Sequence, residues 1–352
     1  MKQSFLPLSS ESVKDPLFPP TRFMGSKQSL LPFIFKHLDK LKYETVLDAF
    51  AGSCCVAYEF KRKGKSVTTN DFLHFSFVIS KAVIENNEIR LDDATFSRLL
   101  TPRDDAPTFV RDTYSDLFFT YEECSFLDSL WANIHEIEDQ YQKYLAIAAA
   151  CRACQKKRPR GIFTFIGKKS WDDRKDLKLS IQEQFANAIR LFNNAVFNNG
   201  KKHTANWSDI VNYTENDFDL VYLDPPYWSP LSDNDFVRRY HFIEGYSRYW
   251  KDLTIDLKTK TKKFKSYYSA FSKRASATKA LKELFDRYSN SIIALSYASN
   301  GYPTKEELIS MLGKVKQHVE VYKTDYRYSF ANQGETSEKI KNNVQEYLFI
   351  GF

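Results

Sequence analysis

Thr45-Val46-Leu47-Asp48-Ala49-Phe50-Ala51-Gly52-Ser53 is the stretch that decides the fold. A short β-branched, apolar run ends in an acid and passes at once into a glycine-containing turn, the outline of a strand, a tight turn and a helix. The helix continues from about Cys54 to Lys63 and stops at Gly64, and Ser66-Val67-Thr68-Thr69-Asn70 then reads as a second strand ending at Asp71. Two strands joined by a helix of this length form a βαβ unit, parallel and right-handed by strong preference. An α/β chain with a Rossmann-like sheet is therefore expected.

Upstream, Ser26 to Lys40 carries Leu30, Leu31, Ile34 and Leu38 at helical spacing, with Ser26 or Ser29 placed as a cap and Pro32 in the first turn, where proline is tolerated. Downstream, from Ile89 to Asn206, the pattern turns helical or irregular and rich in aromatic and charged residues, with Gly161 to Ile166 as its one candidate strand. The sheet resumes at Phe218-Asp219-Leu220-Val221-Tyr222-Leu223, leading into Asp224. Later strands are expected at Ser291 to Ser296, Val319 to Tyr322 and Glu346 to Ile350, the last two as an antiparallel edge hairpin. The division expected is a lead over 1–20, a sheet domain over 21–88 and 207–352, and a mostly helical insert over 89–206.

The 352 residues hold 51 Lys+Arg against 44 Asp+Glu, a net charge of +7 that suits a polyanionic partner without requiring one. Positive charge clusters at Lys156-Lys157-Arg158-Pro159-Arg160, at Lys168-Lys169 and from Lys258 to Lys265. Each run is a candidate set of phosphate contacts or a solvated face. Five cysteines in no framework spacing point to free thiols, and Cys151 and Cys154, following an alanine-rich helical run, read as helix packing in the absence of a second ligand pair for zinc. No metal is expected. The opening twenty residues lack the basic start and apolar core of a signal peptide, and no run approaches the roughly 20 apolar residues that span a bilayer, so no membrane association is expected.

In an open α/β sheet, ligands bind beyond the carboxyl ends of the strands, and Asp48, Asp71 and Asp224 all fall at such ends. The turn after Asp48 lacks the G-x-G-x-x-G of dinucleotide binders, and a single Gly52 lets the backbone approach an uncharged or zwitterionic ligand. Asp71, some twenty residues on, stands where an acid accepts ribose hydroxyls. Asp224-Pro225-Pro226-Tyr227 is the sharpest signal. A tetrapeptide of this kind should arise by chance in on the order of one such chain per hundred.

Its chemistry suits a planar exocyclic amine, a poor nucleophile because its lone pair is delocalised into the ring. Hydrogen bonds from that amine to the Asp224 carboxylate and to the Pro225 carbonyl would localise the pair. The two prolines fix φ, and Tyr227 would stack on a base extruded from its duplex.

Taken with Arg22-Phe23-Met24-Gly25-Ser26-Lys27, Asn70-Asp71, the segment Lys157 to Phe163, Leu295 to Gly301 and the closing Glu346-Tyr347-Leu348-Phe349, these motifs in this order resemble the D12 class of adenine-N6 DNA methyltransferases, which includes the Dam-type and FokI-type enzymes. The resemblance implies an S-adenosylmethionine-dependent methyltransferase acting on a flipped adenine in double-stranded DNA. It further implies a prokaryotic, cytoplasmic setting, a restriction-modification role with a cognate endonuclease as functional partner, and target recognition in the insert. Catalysis would fall to Asp224, Pro225, Pro226 and Tyr227. Phe23, Gly25 and Lys27 would contact the methionine part of the cofactor, Asp48, Phe50 and Gly52 would form its main turn, Asp71 would hold its ribose and Asp209 would reach its adenine.

Lys157, Arg158 and Arg160, with Lys168 and Lys169, would contact phosphates or read guanine edges. Tyr240 to Trp250 resembles a stretch that closes over DNA, and reads equally as aromatic residues packing a helix. One departure stands out: the family turn usually continues Gly-Ser-Gly, whereas Cys54 follows Ser53 here, tolerable if the backbone is already helical. An N4-cytosine DNA methyltransferase uses the same amine chemistry, and a catalytically silent DNA-binding component could keep the fold, so both stay open beside the adenine reading. RNA or protein-glutamine methylation fits the motif order less well, and a nicotinamide oxidoreductase lacks its glycine fingerprint.

Overall fold

A computed structural model describes residues 17–158, 161–164, 175–228, 235–327 and 343–352. The chain divides into two compact units, one of Met24–Phe72, Gly200–Asp235 and Tyr268–Phe352, the other of Met1–Phe23, Leu73–Asn199 and Phe236–Tyr267.

The first unit is built on a seven-stranded sheet: β1 (Thr45–Asp48), β2 (Ser66–Asp71), β3 (Thr204–Trp207), β4 (Leu220–Leu223), β5 (Ile292–Ala298), β6 (Val319–Arg327) and β7 (Asn343–Gly351), in the order β3-β2-β1-β4-β5-β7-β6. The first five strands pair in parallel, and β7 runs antiparallel to both β5 and β6. From β1 the chain steps outward to β2 and β3, then returns to β4 on the other side of β1. The switch point of the topology therefore lies between β1 and β4, where Asp48 pairs in register with Tyr222.

All of Leu220–Leu223 is buried, the continuous apolar run that a parallel strand covered on both faces requires. Leu47, Val221, Leu223, Ile293 and Leu295 pack with Ala277, Leu281 and Leu284 of the helix Arg274–Arg287 in one core cluster. The helix Leu31–Leu38 takes Pro32 in its first turn and buries Ile34, Phe35 and Leu38. The edge hairpin forms as expected but with longer strands, nine residues each.

The second unit is helical, and its boundaries differ from the 89–206 expected. The helix His74–Ser80 belongs to it because the buried Glu244, on the helix Phe236–Tyr246, accepts the N–H groups of His74 at 3.0 Å and Phe75 at 3.1 Å, two of the orphan donors at that helix start. At the other boundary, Thr204–Trp207 is a sheet strand that the sequence reading assigned largely to the insert. Gly161–Thr164 form no strand; the rest of that candidate, and Arg160, Lys168 and Lys169, lie outside the described residues. Among the described residues no helix is long and apolar enough to cross a membrane.

Candidate active site

At the carboxyl ends of the central strands, the turn after β1 is held by its neighbours. The Gly52 N–H, at φ +50°, donates to Asp71 Oδ2 at 2.7 Å, and the Ala51 N–H donates to the Asn70 carbonyl at 3.0 Å. Ser208, just past β3, returns its N–H to the Asp71 carbonyl and its Oγ to Asn70 Oδ1 at 2.7 Å. Asp209 follows and accepts the Val211 N–H as the cap of a short 3-10 turn. Trp207, paired in register with Asp71, ends β3 as a residue 44% exposed, an aromatic side chain that the sequence reading leaves unassigned.

Asp48 is buried, and among the described residues its Oδ1 has no hydrogen-bond partner. Burial pushes its carboxyl up to about 8, and the charges of Asp224 and Asp71 add to the rise. Asp224 follows β4 directly and receives the Lys27 ammonium at 2.9 Å on Oδ1. Burial pushes Asp224 up to about 6, with Lys27 working against the rise and Glu346 adding to it. Burial by itself would lower Lys27, but the carboxylates of Asp224 and Glu346 outweigh it and hold the ammonium above its ordinary range.

Asp48 and Asp224 thus end the two strands that flank the switch point, with Asp71 at the end of the next strand and Glu346 on β7, and the Lys27 ammonium pairs directly with Asp224. A cationic or zwitterionic ligand with an ammonium or sulfonium centre fits that set of acceptors.

Glu346, part of an expected strand and of the closing motif, has no site role in the sequence reading. It sits in β7 with Val344, Leu348 and Ile350 on one face, an acid in an otherwise apolar alternation, and that break in pattern was the available signal.

Tyr227 rests against Tyr297 with ring centroids 5.2 Å apart. Gly301 forms part of this floor: a Cβ there would come within 2.7 Å of Tyr297 and 3.0 Å of Tyr227. Beneath it, the Tyr222 hydroxyl and Ser296 Oγ share a hydrogen bond of 2.7 Å. Phe50, half-buried, meets Phe271 edge-on at 5.0 Å.

Gly25, Lys27, Asp48, Phe50, Gly52, Asp71, Asp209 and Asp224 to Tyr227 therefore belong to one unit. Phe23 does not; it lies in the helical unit, stacked on Tyr240 at 5.3 Å and Phe236 at 5.9 Å.

The expected phosphate contacts at Lys157 and Arg158 need correction. Lys157 is 8% exposed, paired with Glu123 at 2.8 Å and donating to the Leu179 carbonyl, while Arg158 is 2% exposed, donating to the Phe118 carbonyl and lying over the Phe118 ring. At the end of the helix Gln140–Lys156 the chain turns inward, so both cations are committed to internal partners. Cys151 and Cys154 on that helix are buried, and burial raises both thiols. Tyr240, Phe242, Tyr246 and Trp250 likewise pack the interior of the helical unit, the second of the two readings given above. Lys258, Lys260 and Lys265 are exposed. Among the described residues no group of three His, Cys, Asp or Glu side chains is placed to hold a metal ion.

A family model described as D12 class N6 adenine-specific DNA methyltransferase matches residues 23–311. Among known proteins, the chain is 27% identical to the type II methyltransferase M2.HphI of Haemophilus parahaemolyticus, over 96% of this chain and 99% of that one. It is 28% identical to the modification methylase StsI of Streptococcus sanguinis and 27% identical to the type II methyltransferase M.FokI of Planomicrobium okeanokoites, each over 93% of this chain. The chain spans about half the length of these last two, 51% and 52%.

Proposed function

The chain belongs to the D12 class of N6 adenine-specific DNA methyltransferases, enzymes that methylate adenine in DNA, and from that premise we propose how its residues carry out the reaction. Asp224 and the carbonyl of Pro225 accept the two hydrogens of the adenine N6 amine and localise its lone pair, and Tyr227 stacks on the extruded base. As the nitrogen gains its fourth bond it becomes a strong acid, and the Asp224 carboxylate, raised to about 6, is the base in contact with the departing proton.

S-adenosylmethionine, when bound, supplies a methyl group made electrophilic by a sulfonium. Asp48, with its unpartnered Oδ1, and the turn through Phe50 and Gly52 would hold the methionine end, Lys27 its carboxylate and Asp71 the ribose. Asp209 and the exposed Trp207 would take the adenine. The placement of Asp71, Asp48 and Asp224 at the carboxyl ends of three adjacent parallel strands, with Asp48 Oδ1 buried and unpartnered among the described residues, is the observation that carries this reading. The relatives' names, type II methyltransferase and modification methylase, support a role as the modification enzyme of a restriction-modification system, with an endonuclease as its functional partner.

Base-resolution mapping of modified bases in the DNA of cells expressing the protein tests the proposal. N6-methyladenine in one short recurrent sequence is expected. Modification confined to cytosine N4, or no modification, would contradict it.

A further inference from the structure

Arg274 opens the helix Arg274–Arg287 as an exposed residue, yet its side chain is held in one place. The guanidinium lies 3.6 Å from the centroid of the Tyr302 ring, a stacking distance, and 5.8 Å from that of Trp228. Among the described residues it makes no hydrogen bond and no ion pair, so stacking occupies its face and leaves its in-plane N–H edge unused. An arginine in this state is a pre-organised fork, the donor set that matches a phosphate in two parallel hydrogen bonds.

Its two platforms are themselves fixed beside the candidate site. Trp228 is the residue after Tyr227, and its carbonyl accepts the Tyr302 N–H at 2.9 Å. Tyr302 follows Gly301, the residue that packs against Tyr227, and its carbonyl accepts the Tyr297 hydroxyl. The cation therefore stands on the aromatic rim next to the ring assigned to the extruded base. The phosphates of an extruded nucleotide remain covalently attached to it, so a site that holds the base must also meet an anion within one nucleotide's length.

We propose that Arg274, seated on Tyr302 and Trp228, is the clamp for a backbone phosphate flanking the extruded nucleotide. The assignment rests on the DNA-methylating function given above. It makes Arg274 a substrate-binding residue that reads no base.

Equilibrium binding of the full chain, with S-adenosylhomocysteine present, to a duplex carrying its methylation site tests the clamp. Arg274→Ala should weaken duplex binding roughly tenfold, the loss expected for one charge-assisted contact. It should also lower the slope of log affinity against log salt by about 0.9, one phosphate's worth. Arg274→Lys, which keeps the charge and loses the stacked fork, should fall between the two proteins.

Replacing the flanking phosphates singly with neutral methylphosphonates should weaken the wild type at one position and leave Arg274→Ala unmoved there. An unchanged affinity and salt slope in Arg274→Ala would overturn the clamp, as would a variant as sensitive as the wild type at every phosphate. A loss confined to one base pair's identity would replace phosphate binding with base readout and also overturn it. A wild type that places no methyl group on any DNA would instead contradict the functional reading itself, a separate outcome read before any variant is made.

Discussion

In the proposed reaction Asp224 has two requirements that pull apart: burial strengthens its hold on an amine, and the same burial favours its neutral form, which accepts the amine hydrogen less well and cannot take the departing proton. Lys27, at 2.9 Å, is what keeps the balance near neutrality, with the carboxyl pushed up only to about 6. The reactive form lies above that value, so kcat/KM should fall about tenfold per unit as pH drops below about 6. Lys27→Met removes the opposing cation and leaves burial and Glu346 acting in the same upward direction. Its acid limb should lie at higher pH than the wild type's, and a pH–rate profile with an unmoved limb would contradict this role for Lys27.

At this scale the strand-end acids Asp48, Asp71 and Asp224 were legible in the sequence, because each closes a run rich in apolar or β-branched residues. Lys157 and Arg158 were misread because a charge run does not reveal whether the chain after a helix turns outward or, as here, inward onto Glu123 and Phe118. Glu346 is drawn to Lys27 and Asp224 only by the antiparallel pairing of β7 on β5, a long-range contact that strand periodicity cannot report.

Among the elements, the turn between β1 and the helix Cys55–Arg62 carries the clearest local conflict. Cys54 was expected to be tolerable with a helical backbone, but it adopts φ +67° in the left-handed region, where a side chain costs about 1–2 kcal/mol. The residue is also fully buried, so its packing offsets part of that strain. Cys54→Gly should unfold within about 1 kcal/mol of the wild type, whereas the β-branched Cys54→Val should be destabilised by about 2 kcal/mol or more. Denaturant unfolding checks both, and a valine variant as stable as the wild type would contradict the strained turn.

The same scale shows which elements the sequence hid. The βαβ unit, β4 and the edge hairpin were read from apolar runs bounded by turns. β3 was not, since Thr204-Ala205-Asn206-Trp207 is an edge strand with one parallel neighbour and only Ala205 buried. Its place in the sheet comes from pairing with Thr68 to Asp71, not from its own pattern.

For the whole molecule, the expected single insert is replaced by a helical unit drawn from three separate segments, and the sheet unit is likewise assembled from three. The join at Glu244, which caps the helix His74–Ser80 from 169 or 170 residues away, shows why the boundary was invisible: a buried glutamate in an aromatic run has no sequence mark of what it caps. What the chain order did preserve is the turn proposed for the cofactor ahead of the strand proposed for catalysis, and the two are neighbours because the strand order reverses between β1 and β4.

That one carboxylate, Asp224, lies against the amine to be methylated is the central proposal. Single-turnover transfer of tritiated methyl from S-adenosylmethionine to duplex DNA, followed by digestion to nucleosides, tests it in wild type and Asp224→Ala. The label should appear in N6-methyladenosine's deoxy form, and its rate should fall at least about 10²-fold in the variant, the loss typical of one group that stabilises a transition state. Label transferred at an undiminished rate by Asp224→Ala, or found on cytosine, would contradict it.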